Sequence, residues 1–266
     1  MLAMRKKMLK GRWLVDIALL GIQGKIPFAE AVGFILARVK AKPTQLNING
    51  VRFPQVDHIL WSAILEAQVW QVYFLEPQVT IQAKDVVVDI GAHWGAFTSL
   101  AARQATQGQV FAFEPHPDNV QQLERVCALN NLCNVKTFPI AVSGIGGTRD
   151  LFVSANSSQH SLAEGPFSTR HTIKIPTMTL DQVLDETGHI DFLKMDCEGA
   201  ETEIILNASE RALTSISKIA MEVHHSQRAK PMRLLLKRLS SHFTILAIQY
   251  RTPELGYLYA IRRQQD

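Results

Sequence analysis

A chain of 266 residues, 47% of them hydrophobic, can bury one large α/β core with an appendage. A formal charge of +4 is too modest to argue for nucleic acid. Cys127, Cys133 and Cys197 form an odd set without metal-ligand spacing, which reads as reduced thiols in a cytosolic protein.

Residues 1–12 carry Arg5, Lys6, Lys7, Lys10 and Arg12 and no acid. The apolar stretch from Trp13 to Ile22 is interrupted by Asp16, too short for a bilayer and without a signal cleavage site. The expected role is a helix packed on the domain behind a solvated lysine-rich start. Contact with an anionic membrane surface is the less favoured reading. Ile26 to Val39 is a second helical segment, and Gln45 to Phe53 a hairpin about Asn49-Gly50. Asp57 to Leu75 reads as one long helix with Asp57 as its N-cap and Trp61, Trp70, Tyr73 and Phe74 along it. Core packing suits most of these aromatics. Tyr73 and Glu76 lie nearest the turn that follows.

Val86-Val87-Val88-Asp89-Ile90 is a buried parallel strand that runs into Gly91-Ala92-His93-Trp94-Gly95 and then a helix to Ala105. Gly91 permits the sharp exit, and Gly95 permits close approach of the helix to ligand and sheet. His93 stands where a dinucleotide fingerprint has its middle glycine. Gln109 to Glu114 is the second strand, and its terminal carboxylate can accept both hydroxyls of a ribose. NAD and S-adenosylmethionine share that ribose. Asp89 would repel a pyrophosphate and favour the cationic methionine end of S-adenosylmethionine, directly or through water.

Pro117 to Asn130 is a crossover helix with Val120, Leu123 and Cys127 as its buried stripe, and Val135 to Val142 is the third strand. Asp150 to Val153 and Thr172 to Ile175 read as short strands around a polar loop, Ser154 to Arg170, that shapes or lids an acceptor site. Thr179 to Gln182 has capping-box spacing and opens a helix through Glu186. Ile190 to Met195 delivers Asp196 and Glu198 to the same edge as Asp89 and Glu114. Three acids from three strands, Asp89, Glu114 and Asp196, should therefore converge on one crevice. Beyond it come a helix from Glu201 to Leu213, a strand from Ile216 to Val223 ending in His224-His225, and a basic helix from Pro231 to Leu239. Phe243 to Tyr250 and Gly256 to Arg262 are the last two strands.

The segments Asp89 to Gly95, Phe113-Glu114-Pro115, Thr177 to Asp181 and Leu193 to Glu201 resemble the signatures of the FkbM family of S-adenosylmethionine-dependent methyltransferases, in order and spacing. The resemblance covers about residues 80–225. It implies a class I, Rossmann-like fold: an α/β seven-stranded sheet, helices on both faces and the last strand antiparallel. A mostly helical extension over 1–78 would precede a catalytic domain over 79–266 and help to cover the cofactor. Asp89, Gly91, Ala92, His93, Gly95, Glu114, Pro115, Ala141, Val142 and Asp196 are the expected S-adenosylmethionine contacts, with Ala141 and Val142 beside the adenine.

Methyl transfer is an in-line displacement aided by a base when the acceptor is a hydroxyl. Candidates for the chemistry are Lys194, Asp196, Glu198 and His224, with His225 beside them. Lys194 acts as a base only if desolvated; otherwise it forms a salt bridge inside the site. Asp196, Glu198 and Glu222 can also gather a divalent cation, though no compact ligand motif decides for a metal. O-methylation of a small molecule, sugar or lipid is the expected reaction. Nitrogen methylation, a nicotinamide oxidoreductase and a non-catalytic cofactor-binding module are the alternatives.

Overall fold

The structure is a computed structural model and describes residues 21, 44–56, 58–154, 160–162 and 168–263. The basic start, most of 13–22, the segment 26–39, Asp57 and Ser157 to Gln159 lie outside the described residues. Among the described residues no helix is long and apolar enough to cross a membrane.

The hairpin forms as its turn chemistry dictates. β1 (Thr44–Ile48) and β2 (Val51–Val56) pair antiparallel, and Asn49 (φ 51°) and Gly50 (φ 78°) supply the two left-handed positions of a two-residue turn. The expected helix from 57 to 75 is not continuous. α1 (His58–Ile64) runs into a π-turn at Leu65–Val69, and Gln71 (φ 46°) breaks the helix before a 3-10 turn at Val72–Phe74. The break rotates Tyr73 onto the sheet, where it meets Phe97 and Tyr257 edge-on. Tyr259 donates a hydrogen bond to the carbonyl of Val72, which satisfies a group the broken helix frees.

The main sheet follows the expected order of units: β3 (Val86–Ile90), α2 (Ala96–Gln104), β4 (Gln109–Phe113), α3 (Pro117–Leu129) and β5 (Val135–Phe138). β6 (Ala141–Val142) does not extend β5. It pairs with β8 (Ser168–Met178), which also pairs with β7 (Gly147–Ser154), in a separate three-stranded sheet. α4 (Leu180–Thr187) opens with the full capping box of Thr179 and Gln182 and leads to β9 (Ile190–Met195). The helix expected from 201 to 213 is two, α5 (Glu201–Asn207) and α6 (Glu210–Thr214). Ser209 caps α6 by accepting from Ala212 N, while Asp181 accepts from Ser209 N at 3.0 Å. β10 (Ile216–Val223), α7 (Lys230–Ser240), β11 (Phe243–Tyr250) and β12 (Gly256–Arg262) complete the chain.

The seven strands lie in the order β11-β12-β10-β9-β3-β4-β5, with β12 antiparallel to both neighbours. From β3 the chain steps outward to β4 and β5, then crosses back to β9 on the other side of β3. The order therefore reverses between β3 and β9, and a crevice opens beyond their carboxyl ends. The strand pleat sorts the side chains between two cores. Val87 and Phe192 face the hairpin, α1 and α2, and Val88, Leu193 and Met195 face α4 to α7.

Candidate active site

Gly91 (φ 77°) turns the chain out of β3, and its N–H and that of Ala92 both donate to the carbonyl of Phe113 at 3.0 Å. A Cβ on Gly91 would stand 1.8 Å from the Asp196 carbonyl, so the turn lies directly on the end of β9. The turn then presents the backbone of His93 (φ 51°) to Glu114. His93 N donates to Glu114 Oε2 at 2.9 Å, while His116 N and Asn119 Nδ2 donate to Oε1 at 3.0 and 3.1 Å. Trp94 Nε1 in turn donates to Asn119 Oδ1 at 2.8 Å. Glu114 is only 5% exposed; burial raises its pKa, and the His116 amide and Asn119 oppose that. Asn119 was not foreseen as a partner; its place on the first turn of α3, just past Glu114, is the signal available.

A cavity of about 590 Å³ opens beside this carboxylate. Gly91, His93, Glu114 and Pro115 line one flank with Ala141 and Val142, and Asp196, Glu198 and His224 line another. Four expected site residues do not reach it. Ala92 packs with Ala112 and Leu123. Gly95 starts α2, and a Cβ there would meet Leu123 at 2.7 Å, so it serves the approach of α2 to α3 rather than to a ligand. Asp89 and Lys194 point to the α2 side of the sheet, because each is two residues along its strand from an inward neighbour on that face, Val87 and Phe192.

Asp89 (0% exposed) and Lys194 (3%) form a buried ion pair at 2.9 Å. Thr98 donates to Asp89 at 2.6 Å, and Lys194 Nζ donates to the carbonyls of Gly91 at 2.7 Å and Ile90 at 3.3 Å. Burial works to lower the Lys194 pKa, but Asp89 and Asp196 outweigh it and hold it above its ordinary value. Lys194 is therefore a salt-bridged ammonium that shapes the turn from behind, not a free base in the crevice. Asp89 is thus matched by Lys194 away from the crevice, and acids border the crevice at Glu114 and at the ends of β9 and β10.

The acids at the ends of β9 and β10 form a tight cluster. Asp196 Oδ2 accepts from Tyr73 at 2.7 Å. Glu201 Oε1 accepts from Cys197 N at 2.9 Å and Gly199 N at 3.4 Å, bracing a segment in which Glu198 holds a left-handed φ of 55°. His224 Nδ1 lies 3.3 Å from Glu201 Oε1 and its Nε2 3.6 Å from Glu198 Oε2. Burial lowers the His224 pKa, but Glu201, Asp196 and Glu198 outweigh it and raise it to about 9. At neutral pH His224 is thus imidazolium, in contrast to the free base its ordinary pKa suggests. Burial, then Asp196, raises Glu198 to about 8 and Glu222 well above the usual carboxylate range. Asp196 and Glu201 are held below that range, since Lys194 and His224 respectively overcome their burial. Donor atoms of Asp196, Glu201 and His224 lie within 4.8 Å of one another, so these residues can hold a cation. His225 stays out of the crevice; its carbonyl accepts from Tyr250 at 3.1 Å.

Two further walls were hidden in the sequence. Glu66 of the π-turn pairs with Arg251 of the β11–β12 connection, 185 residues away, and Arg251 also donates to Tyr257 at 2.9 Å. No local pattern signals a contact of that range. On the opposite side His160 and Leu162, described residues of the polar loop, line the crevice. His160 stacks on His116 with centroids 4.2 Å apart, its Nδ1 accepts from Ser154 N at 3.0 Å, and Ser161 donates to the Glu198 carbonyl at 2.9 Å.

Residues 89–259 match the model of the methyltransferase FkbM domain. The chain belongs to this FkbM family. Its fold is the class I Rossmann-like methyltransferase fold, and the cofactor of that fold is S-adenosylmethionine. The chain is 27% identical over 174 residues to the hexuronic acid methyltransferase AglP of Haloferax volcanii, covering 61% of this chain and 66% of that protein. It is 26% identical over 177 residues to methyltransferase sdnD of Sordaria araneosa, covering 54% and 68%. The match thus spans about two thirds of each relative's length. Among solved structures, a fibrillarin/Nop5p complex has a TM-score of 0.48 at 13% identity, covering 76% of this chain and 84% of that one. TYW2 of M. jannaschii in complex with AdoMet has 0.47 at 16%, covering 83% and 87%.

Proposed function

We propose that this FkbM-family chain transfers the methyl group of S-adenosylmethionine to a hydroxyl of a small polyhydroxylated molecule, a sugar being the leading class. The observation that carries this is Glu114. A carboxylate at the end of the second strand, held by three N–H donors, keeps lone pairs free toward the cavity for a ribose. Gly91 and His93 would border the cofactor along the turn, Pro115, Ala141 and Val142 would flank the adenine, and Asp196 would face the methionine ammonium. When bound, the sulfonium supplies the methyl group. The chain's own work is alignment: the Asp89–Lys194 pair fixes the turn, and Tyr73 fixes Asp196.

The acceptor would occupy the other half of the cavity, between Glu66 and Arg251 on one side and Glu198, Glu222 and His224 on the other. Glu198, its side chain 29% exposed, and His224 at 20% are placed to touch a hydroxyl; with Glu198 raised to about 8 and His224 to about 9, either takes its proton only after losing its own, toward alkaline pH. The density of acceptor oxygens suits a ligand rich in O–H groups. The activity named for AglP, methylation of a hexuronic acid, supports a sugar. Calorimetric titration with S-adenosylmethionine, S-adenosylhomocysteine and NAD tests the cofactor half, and transfer of labelled methyl to a panel of neutral and acidic sugars tests the acceptor half. Binding of the two adenosyl ligands without NAD is expected. NAD binding, or no adenosyl binding, would sink the reading.

A further inference from the structure

We propose that His160 and Leu162, on the connection between β7 and β8, complete the adenine pocket, with His160 donating an N–H to a ring nitrogen of the purine. The proposal rests on reading Glu114 as the ribose acid and deepens that reading. In this role the polar loop serves the cofactor rather than the acceptor.

Ser161 exchanges both backbone hydrogen bonds with Phe152, at 2.9 and 3.2 Å, so residues 160–162 run extended against β7. Side chains alternate along an extended segment, which puts His160 and Leu162 on one side and Ser161 on the other. His160 and Leu162 both line the cavity, and Ser161 lies off it, donating to the Glu198 carbonyl at 2.9 Å and pinning the segment. Both lining side chains stand at the Glu114 end. His160 stacks on His116, whose own N–H holds Glu114. Leu162 packs against the apolar cluster of Ala141 and Leu151 and against that of Val142. Leu162, Ala141, Val142 and Leu151 all line the cavity, and together they form the apolar wall that a purine face takes.

The chemistry of His160 follows from its partner. Its Nδ1 accepts from Ser154 N at 3.0 Å, so the proton of the neutral ring is on Nε2. Burial, then His116, keeps the ring neutral at pH 7. Among the described residues none accepts from Nε2. Adenine offers N1, N3 and N7 as acceptors, which match a lone N–H donor beside an apolar wall.

The test is calorimetric titration of the purified full chain with S-adenosylhomocysteine and with its 1-deaza, 3-deaza and 7-deaza analogues, each lacking one ring acceptor. The parent is compared with His160→Phe, which keeps a stacking ring and loses the N–H. His160→Phe should weaken S-adenosylhomocysteine about threefold to tenfold, as loss of one hydrogen bond does. One deaza analogue should lose a similar factor on the parent and nothing further on His160→Phe, the mark of direct contact in a double-mutant cycle. A purely structural role for His160 would lower all four ligands alike. That result overturns the contact, as does unchanged binding of S-adenosylhomocysteine by His160→Phe. Leu162→Ala should weaken all four ligands by a common factor of about three or more, because it touches only the purine face; affinities equal to the parent's remove Leu162 from the pocket. If the parent binds S-adenosylhomocysteine and His160→Phe binds it equally well, only this inference falls. If the parent does not bind it, the cofactor reading falls and takes this inference with it.

Discussion

Two acids at strand ends look alike in sequence and have different work. Asp89 is sealed behind the sheet with Lys194, so Asp89→Ala strands a buried ammonium. Loss of one member of such a pair costs about 3–5 kcal/mol. Denaturant unfolding of that variant should show a loss of this size, and an unfolding midpoint equal to that of the parent would refute the buried-pair role. Glu114 instead faces the cavity. Glu114→Gln keeps the size of the side chain but loses the charge that receives the ribose, and hydrogen bonds to charged groups are worth roughly 1.5–3 kcal/mol. The dissociation constant for S-adenosylhomocysteine should therefore rise about tenfold to a hundredfold. Calorimetry on the variant checks this, with its unfolding curve unchanged. Both residues stand out from the sequence as strand-end acids. Which one meets the ligand depends on the pleat of β3, and that cannot be read until the partner face of the strand is known.

At the scale of the element, the polar loop is the piece whose hold on the crevice depends on pH. His160 is pushed down to about 4 from an ordinary 6.5, first by burial and then by His116, with Asp118 opposing. The docked loop thus binds fewer protons than the released loop. Its hold is full above about pH 6.5 and weakens as the pH falls toward 4, because the released form takes the proton first. Hydrogen exchange at Ser154 N, which donates to His160, should accelerate at pH 5 relative to pH 7.5 after correction for intrinsic rates. His160→Gln should flatten that difference; an unchanged pH response would assign the effect to another group. The capping box of α4 and the Asn49-Gly50 turn were legible because each is written in adjacent residues. The breaks at Gln71 and Ala208 were not. The first is repaid by contacts of Tyr73 and Val72 with β12, and the second by Asp181 on another helix.

For the whole molecule, the hairpin and α1 share one apolar cluster with α2 and the sheet. Leu46, Phe53, Trp61 and Leu65 belong to the same cluster as Phe97, Phe192 and Tyr259. A chain beginning at residue 79 should therefore expose a large apolar face and lose fixed tertiary packing. Near-UV circular dichroism and dye binding would show it, and a well-packed truncated domain would prove the extension separable. The sequence by itself determined the alternation of strands and helices, the turn after β3, and the carboxylates delivered to one sheet edge. These rest on local periodicity and on glycines that only certain backbone angles require. Tertiary structure alone decided which acids face the crevice, that Lys194 is neutralised by Asp89 from the neighbouring strand, that Glu66 and Arg251 wall the site, and that Tyr73 holds Asp196 from the core. Each of those outcomes joins residues far apart in the chain through burial and charge, which act across space and leave no spacing to read.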